Sequence, residues 1–444
     1  MLWLPTRQTR KAIARINRRR RRRRIARFLV FLFLFFGLGT ASVPPEQALL
    51  NRVAIVTAAH QFDFVDWESR ALSSELARRW RPPALPHNQA EQLAMVQTFL
   101  DQEERIRELR HELDKIYAVN ANPAQEAHPL EQALVRIKAA QADIMPQVET
   151  ILVQQVEAIL QEEGFTVSGR VFTPPAFRFT DPPTALILSP RDRIEKQHTI
   201  GLQPGLDNRL RTEIEETLEQ RGNVSSYVTD VGGLGSYPTM VITYPFLPYL
   251  VDVIAHEWTH NYFFSFPTNM AWGYQTYPKL TVINETTAEI VGKEISRKVI
   301  SRYYPDWAKQ LPPVGDDGQP APPEPSEFDL AMRGIRQQVD QLLAAGKIEE
   351  AEAYMETERL KLVEQGYNLR KLNQAYFAFH GAYALSPASI DPTGAQLRQL
   401  RIKSPSLREF VDRVGWLNSY DDYLVWLEQG DDAHTTIESS VGTK

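Results

Sequence analysis

Through the first third of the chain, apolar positions recur every third or fourth residue, the period of an α-helix. Ala48–Trp80 reads as mostly helical, and the prolines of "RPPALP" (81–86) stop it. A second stripe carries Leu93, Val96, Leu100, Leu109, Leu113 and Ile116. After a turn at "NANPAQ", a third carries Leu130, Leu134, Ile137, Ile144, Val148, Ile151 and Val156, with a kink expected at Pro146. Two long amphipathic helices joined by a short loop predict an antiparallel hairpin or small bundle within a helical region, 45–163, whose stripes form a core.

At Gly164 the period changes. "GFTVSGRVF", "FRFTDPPTALIL" and "HTIGLQPGL" are rich in β-branched and aromatic residues and broken by Gly and Pro, so they read as strands. A helix follows at Asn208–Gln220, then "DVGGLGSYPTMVIT", a glycine-loosened turn leading into a strand at Thr239–Thr243. Gly232, Gly233 and Gly235 neither follow a strand nor open a helix, so they read as a loop and not as a phosphate cradle. Further helices are expected after Pro248, at about Ile283–Ser301, on both sides of Gly346, over "RKLNQAYFAFHGAYAL" and over Ser406–Glu428. "LPPVGDDGQPAPPEPSE" (311–327) is a Pro-rich exposed loop inside a second region, 164–430, and 431–444 reads as a disordered tail. The fold class is α+β and helix-rich. No repeats are evident.

Composition narrows the chemistry. At 444 residues, the chain has room for two domains or one elaborated domain. The net charge of −5 hides an unbroken run of arginines, Arg18–Arg24, which leaves everything after it distinctly acidic. That argues against a basic nucleic-acid-binding body. There is no cysteine, so disulfides, thiolate zinc sites, cysteine nucleophiles and lipidated cysteines are excluded. Any metal must be held by His, Asp and Glu.

Directly after the arginines comes "FLVFLFLFFGLGTASV", Phe28–Val43, without a charge. A basic block before an apolar block is a membrane-targeting pattern. It places the arginines in the cytoplasm and the rest of the chain across the membrane. The block is short for a spanning helix, which needs about 17 to 25 residues. Ile25 and Ala26, with Arg27 snorkelling, would extend it. Alternatively, Gly39 and Ala41 offer the small residues of a cleavage site, which would release a secreted protein. The favoured reading of 1–44 is an uncleaved anchor.

"VIAHEWTHNYFF" (Val253–Phe264) places His256 and His260 four apart, on one face of a helix. Glu257 is rotated about 100° from His256 and can reach a water on a metal that the histidines hold. A zinc ion lowers the pKa of such a water to about 7, and Glu257 can take its proton and pass it to a leaving amine. The flanks Val251, Val253, Ile254, Trp258, Tyr262 and Phe263 make this a buried helix. Burying two histidines and a carboxylate without partners costs several kcal/mol. A metal satisfies all three, whereas a chance motif on a core helix would need separate partners for each.

Downstream, "VINETTAEIVGKEI" offers Glu285 and Glu289, again four apart, with Asn284 placed to cap the helix. Glu285 can complete a His-His-Glu zinc site. Glu289 can then accept from the free ring nitrogen of a ligand histidine. The alternative is a solvated acidic face.

"VIAHEWTH" followed by "NETTAE" resembles the zinc-helix and glutamate-helix motifs of the gluzincin metallopeptidases, the thermolysin-like and aminopeptidase-like families. The resemblance covers about 225–305. It implies His256, His260 and Glu285 as ligands of one Zn2+ and Glu257 as general base. It also implies a zincin-like catalytic domain, with a small mixed sheet, a zinc helix and a helical lobe, and Thr239–Thr243 as the strand that pairs with substrate backbone. An ordinary sheet strand is the alternative there. Two departures leave the subfamily open: the 24 residues between His260 and Glu285 exceed the thermolysin-like spacing, and Glu289 stands where that pattern has Asp.

A tetrahedral oxyanion needs a donor, usually Tyr or His. Tyr376, His380 and Tyr383 recur at helical spacing, with Tyr383 and His380 the favoured pair and Tyr274 and Tyr277 as competitors. Core packing of these aromatics is the alternative. The resulting expectation is a membrane-tethered, extracytoplasmic zinc metallopeptidase acting on peptide or protein substrates, with no nucleic-acid partner. A helical envelope scaffold with a non-catalytic motif and a zinc hydrolase of non-peptide amides are the rivals. Aminopeptidase and endopeptidase are not separated by these residues.

Overall fold

The computed structural model describes residues 45–119, 124–315 and 324–429. The expected anchor (1–44) and tail (431–444) lie outside the described residues, as does part of the Pro-rich loop. Among the described residues, no helix is long and apolar enough to cross a membrane.

The chain forms two compact units, 1–58 and 59–444, and helix α1 (Pro45–Thr57) belongs to the first. In the second, α2 (Phe64–Trp80) starts at Asp63, whose carboxylate accepts from the Asp66 amide, and ends before the prolines as expected. Helices α3 (Gln89–Val119) and α4 (Ala124–Glu162) form the predicted antiparallel hairpin. Tyr117 donates to Glu131 near one end, and Gln141 to Glu103 further along. Their apolar stripes are buried, Val96, Phe99 and Leu100 on one helix and Val148, Leu152 and Val156 on the other. Pro146, where the sequence predicts a kink, lies inside α4, which runs on through it to Glu162.

The strands follow as the change of period predicts. They are β1 (Thr166–Val167), β2 (Arg170–Val171), β3 (Phe177–Phe179), β4 (Thr184–Pro190) and β5 (His198–Leu202). Helix α5 (Asn208–Gly222) leads to β6 (Val224–Thr229), β7 (Gly233–Leu234) and β8 (Thr239–Val241). β6 is not foreseen, because "VSSYVT" is too polar to stand out as a strand; it forms by pairing with β4. Two small three-stranded sheets result, one antiparallel (β5-β4-β6) and one mixed (β3-β8-β7).

Helices α6 (Leu247–Phe263) and α7 (Pro278–Tyr303) come next, followed by α8 (Glu327–Ala344) and α9 (Ile348–Glu364) around Gly346, whose φ of +73° suits glycine. Beyond them the chain continues with α10 (Gln374–His380), α11 (Thr393–Lys403), α12 (Leu407–Gly415) and α13 (Tyr420–Gln429), and three short turns of helix at Asn269–Trp272, Tyr274–Thr276 and Pro305–Ala308 flank α7. The single helix expected over Ser406–Glu428 is broken. Asp422 turns back to accept from the Asn418 and Ser419 amides, which starts α13 afresh. The hairpin, α6, α7 and α12 share one apolar core around Trp258, Phe165 and Phe410.

The register of α6 against α7 decides the rest. Asn284, Ala288, Gly292 and Ser296 recur every fourth residue, are buried, and form one ridge of small side chains on α7. Ser296 donates to the Pro248 carbonyl (2.7 Å), Gly292 lies against Asp252, and Asn284 meets His260 (2.7 Å). Each step of one turn down α7 is matched by whole turns up α6, so the two run antiparallel in close contact. A Cβ on Gly292 would stand 2.1 Å from Asp252 Oδ1 and 2.9 Å from its backbone oxygen. Gly292→Ala is therefore expected to wedge the helices apart and destabilise the protein by about 1–3 kcal/mol, measured by urea unfolding.

Candidate metal centre

Helix α6 carries His256 and His260 on one face, with ring centroids 5.0 Å apart. Helix α7 brings Glu285 between them. One carboxylate oxygen lies 3.4 Å from His256 Nε2 and 3.7 Å from His260 Nε2. Donors around a tetrahedral zinc ion stand about 3.4 Å apart, which follows from bond lengths near 2.1 Å. The group could hold a metal ion: its three ligand atoms all lie within 4.8 Å of one another.

The second nitrogen of His260 is accounted for. Its Nδ1 meets Asn284 Oδ1 at 2.7 Å, while the Asn284 amide donates to the Met270 carbonyl. That bond turns the amide oxygen towards the ring, so Nδ1 carries the proton and Nε2 is left with its lone pair facing Glu285. The sequence placed Asn284 as a helix cap. In the structure α7 begins at Pro278, so Asn284 is interior, and its side chain is fully buried. Glu289 was expected to support a ligand histidine. Instead it pairs with Lys293, one turn on, and Asn284 does the supporting at His260. Beside His256 the nearby carboxylate is Asp252, one turn earlier on α6, which the sequence reading passed over. Its signal was a lone acid on an apolar helix face.

Electrostatics follow from burial and proximity. His260 is lowered to about 4, chiefly because burial disfavours the charged ring, so it is neutral and ready to ligate. Burial also pulls His256 down, but its bond to Glu285 and the neighbouring Glu257 outweigh that and raise it to about 9. Glu285 is held at about 2: burial would raise it, and the two histidines more than offset this. Burial pushes Glu257 up to about 7, against the pull of His256 and with a further push from Glu285.

The glycine turn read as a simple loop packs flat on α6. A Cβ on Gly233 would come within 2.6 Å of Glu257 Oε1, so only glycine lets this segment lie over the carboxylate. Gly233–Leu234 forms β7, the edge of the mixed sheet nearest Glu257. The strand expected to meet substrate, Thr239–Thr243, is β8 at Thr239–Val241. It is buried and paired on both sides, by β3 and by β7, which leaves it no free edge.

Two tyrosines wall the group. The Tyr383 ring lies 6.4 Å from that of His256, and Tyr274 stacks parallel on His260 at 6.1 Å. Burial, reinforced by Glu285, raises both hydroxyls far above neutrality, so both remain donors. The Tyr274 hydroxyl accepts from Gln275 and keeps its own proton free to donate, and the Tyr383 hydroxyl has no hydrogen-bond partner among the described residues. The other candidates lie elsewhere. His380 packs on Tyr376 at 4.3 Å and on Tyr227, and with Tyr376 it lines a separate cavity of about 420 Å³ that also holds Arg336 and Phe377. Tyr277 is half-exposed at the start of α7. A residue the sequence did not flag, Lys196, brings its positive charge to bear on both Glu285 and His260 from the β4–β5 loop.

No family model, no curated protein and no solved structure matches this chain.

Removing the Asn284 side chain should free the His260 ring and, by leaving the Met270 carbonyl without its bond, also cost some stability. If the group holds a metal ion, Asn284→Ala is expected to weaken its binding about 10- to 100-fold, and Glu285→Ala to abolish it, in competition titrations against a chromophoric chelator.

Proposed function

We propose that this protein is a zinc metallopeptidase with a zincin-like catalytic unit, tethered by its N-terminal segment and working on the far side of a membrane. The observation that carries the reading is a single one. His256 Nε2, His260 Nε2 and a Glu285 oxygen converge on one point, while Glu257 lies beside it with a pKa near 7. The absence of cysteine leaves His and carboxylates as the strong ligands, and this trio matches the preference of zinc. The basic run and the apolar block Phe28–Val43 support the tether.

When bound, zinc supplies Lewis-acid chemistry, polarising a carbonyl and making a water acidic near neutral pH. The protein's own groups do the rest. Glu257 is within reach of that point and is poised to accept a proton from water and return it to the leaving nitrogen. Its burial under β7 shields it from bulk water. Asn284 fixes the tautomer of His260. Tyr383, its hydroxyl protonated and without a partner among the described residues, donates to the oxygen that gains charge as water adds. The free edge of β7 can pair with an extended peptide.

Glu257→Gln should retain zinc and lose about 10²- to 10⁴-fold in peptide hydrolysis, measured as kcat on a peptide-library digest. Full activity in that variant would overturn the reading. A chelator should abolish turnover in the parent protein, and added Zn2+ should restore it. Tyr383→Phe should lower kcat about 10²- to 10³-fold with zinc content unchanged.

A further inference from the structure

The cavity that His380 and Tyr376 line lies between α8, α10 and the segment 386–392, and none of the three candidate metal ligands lines it. Its volume of about 420 Å³ falls in the range of small-molecule sites, about 300–1,000 Å³. Much of the wall is apolar, with Phe328 and Met332 from α8, Phe377 from α10, and Ala388 and Ile390 from the loop.

The polar groups of the wall divide into committed acids and uncommitted donors. Asp329 Oδ2 closes the capping box of α8, accepting from the Ser326 amide (2.9 Å) and hydroxyl (2.6 Å). Asp391 accepts from the Thr393 amide at 2.9 Å through Oδ1, and its Oδ2 faces Lys279 at 3.4 Å. Arg336 is different. Its Nε is spent on Asp340, one turn along α8 at 2.9 Å, and its Nη1 and Nη2 have no hydrogen-bond partner among the described residues. The Tyr376 hydroxyl and the His380 ring have none either. The guanidinium is held in place: its Cζ lies 5.7 Å from the centre of the Phe377 ring, and Gly381 leaves it room, since a Cβ there would stand 3.3 Å from Nη1.

An unpaired guanidinium edge on an apolar cavity calls for an acceptor from outside, and a carboxylate matches its two parallel N–H groups. We propose that this cavity is a binding site for a small organic carboxylate with an aromatic or aliphatic body, gripped by Arg336 at the charged end and packed against Phe377, Met332 and Ile390. The site is distinct from the candidate metal centre, and the proposal does not depend on the peptidase reading.

The test is calorimetric titration of the full chain with 3-phenylpropionate, 4-methylpentanoate and N-acetylphenylalanine, with 3-phenylpropionamide and acetate as controls. The parent is expected to bind at least one of the three acids with a Kd on the order of 0.1–1 mM. The amide, which lacks the charge, and acetate, which lacks the body, should each bind at least about 10-fold more weakly. Tighter binding of N-acetylphenylalanine than of 3-phenylpropionate assigns the carboxylate to a peptide end, and the reverse order to a free organic acid. Arg336→Gln should weaken binding about 10- to 100-fold, as loss of hydrogen bonds to a charged group implies. Arg336 is partly exposed and its pair with Asp340 is a surface i,i+4 pair, so this variant should unfold at the parent temperature. Ala388→Phe, which puts a ring into the space while leaving Arg336 intact, should also abolish binding. Failure of all three acids to bind the parent, equal binding of acid and amide, or undiminished binding by Arg336→Gln overturns the inference. The readout is binding and not hydrolysis, so its failure leaves the peptidase reading untouched.

Discussion

Everything in the candidate site depends on how closely α6 and α7 approach. A metal site assembled from two helices tolerates little slack, since the bonds it must form are near 2.1 Å and a shift of one ångström removes a ligand. The approach is set by side-chain size. Ala288, Gly292 and Ser296 keep the α7 ridge low, and α6 settles onto it with Asp252 over Gly292 and Pro248 over Ser296. Asn284 ends the same ridge, so the residue that closes the packing also orients His260. Stability and ligand geometry are thus the same set of contacts.

The packing also explains the electrostatics. Two histidines and three carboxylates, Glu257, Glu285 and Asp252, are drawn into one poorly solvated region, where an uncompensated charge is expensive. The protein answers with opposite shifts. Glu285 keeps its charge by leaning on the histidines, His260 surrenders its proton, and Glu257 and Asp252 rise to about 7 and about 6. Groups pushed apart in this way are characteristic of acid–base sites. A cation at the convergence point would relieve the strain that the burial creates, which is the physical content of the zinc proposal.

Around this pair the other elements act as walls. The mixed sheet lays its glycine edge on Glu257, and α10 and the turn after it deliver Tyr383. The helical hairpin takes no part in the group; through Phe99, stacked on Phe179 at 4.8 Å, it supports the sheet from behind. His380 shows how narrow the margin is. Three residues before Tyr383 on the chain, it faces a different cavity because Tyr227 and Tyr376 capture its ring.

Much was legible beforehand because it is local. Helical period, proline stops and the four-residue spacing of His256 and His260 all act within a turn or two of the backbone, and Glu285 stands out as an acid in an apolar helix. What the tertiary structure alone decided involves partners far apart in sequence. Asn284 looked like a cap because its neighbours favour one, and only contact with His260 and Met270 gave it another task. Glu289 looked like a supporting acid by its spacing, yet Lys293 lay within reach on the same helix and took it. The strand "VSSYVT", the free edge of β7 and the position of Lys196 leave no pattern in their own segments, since each is defined by what another segment packs against it.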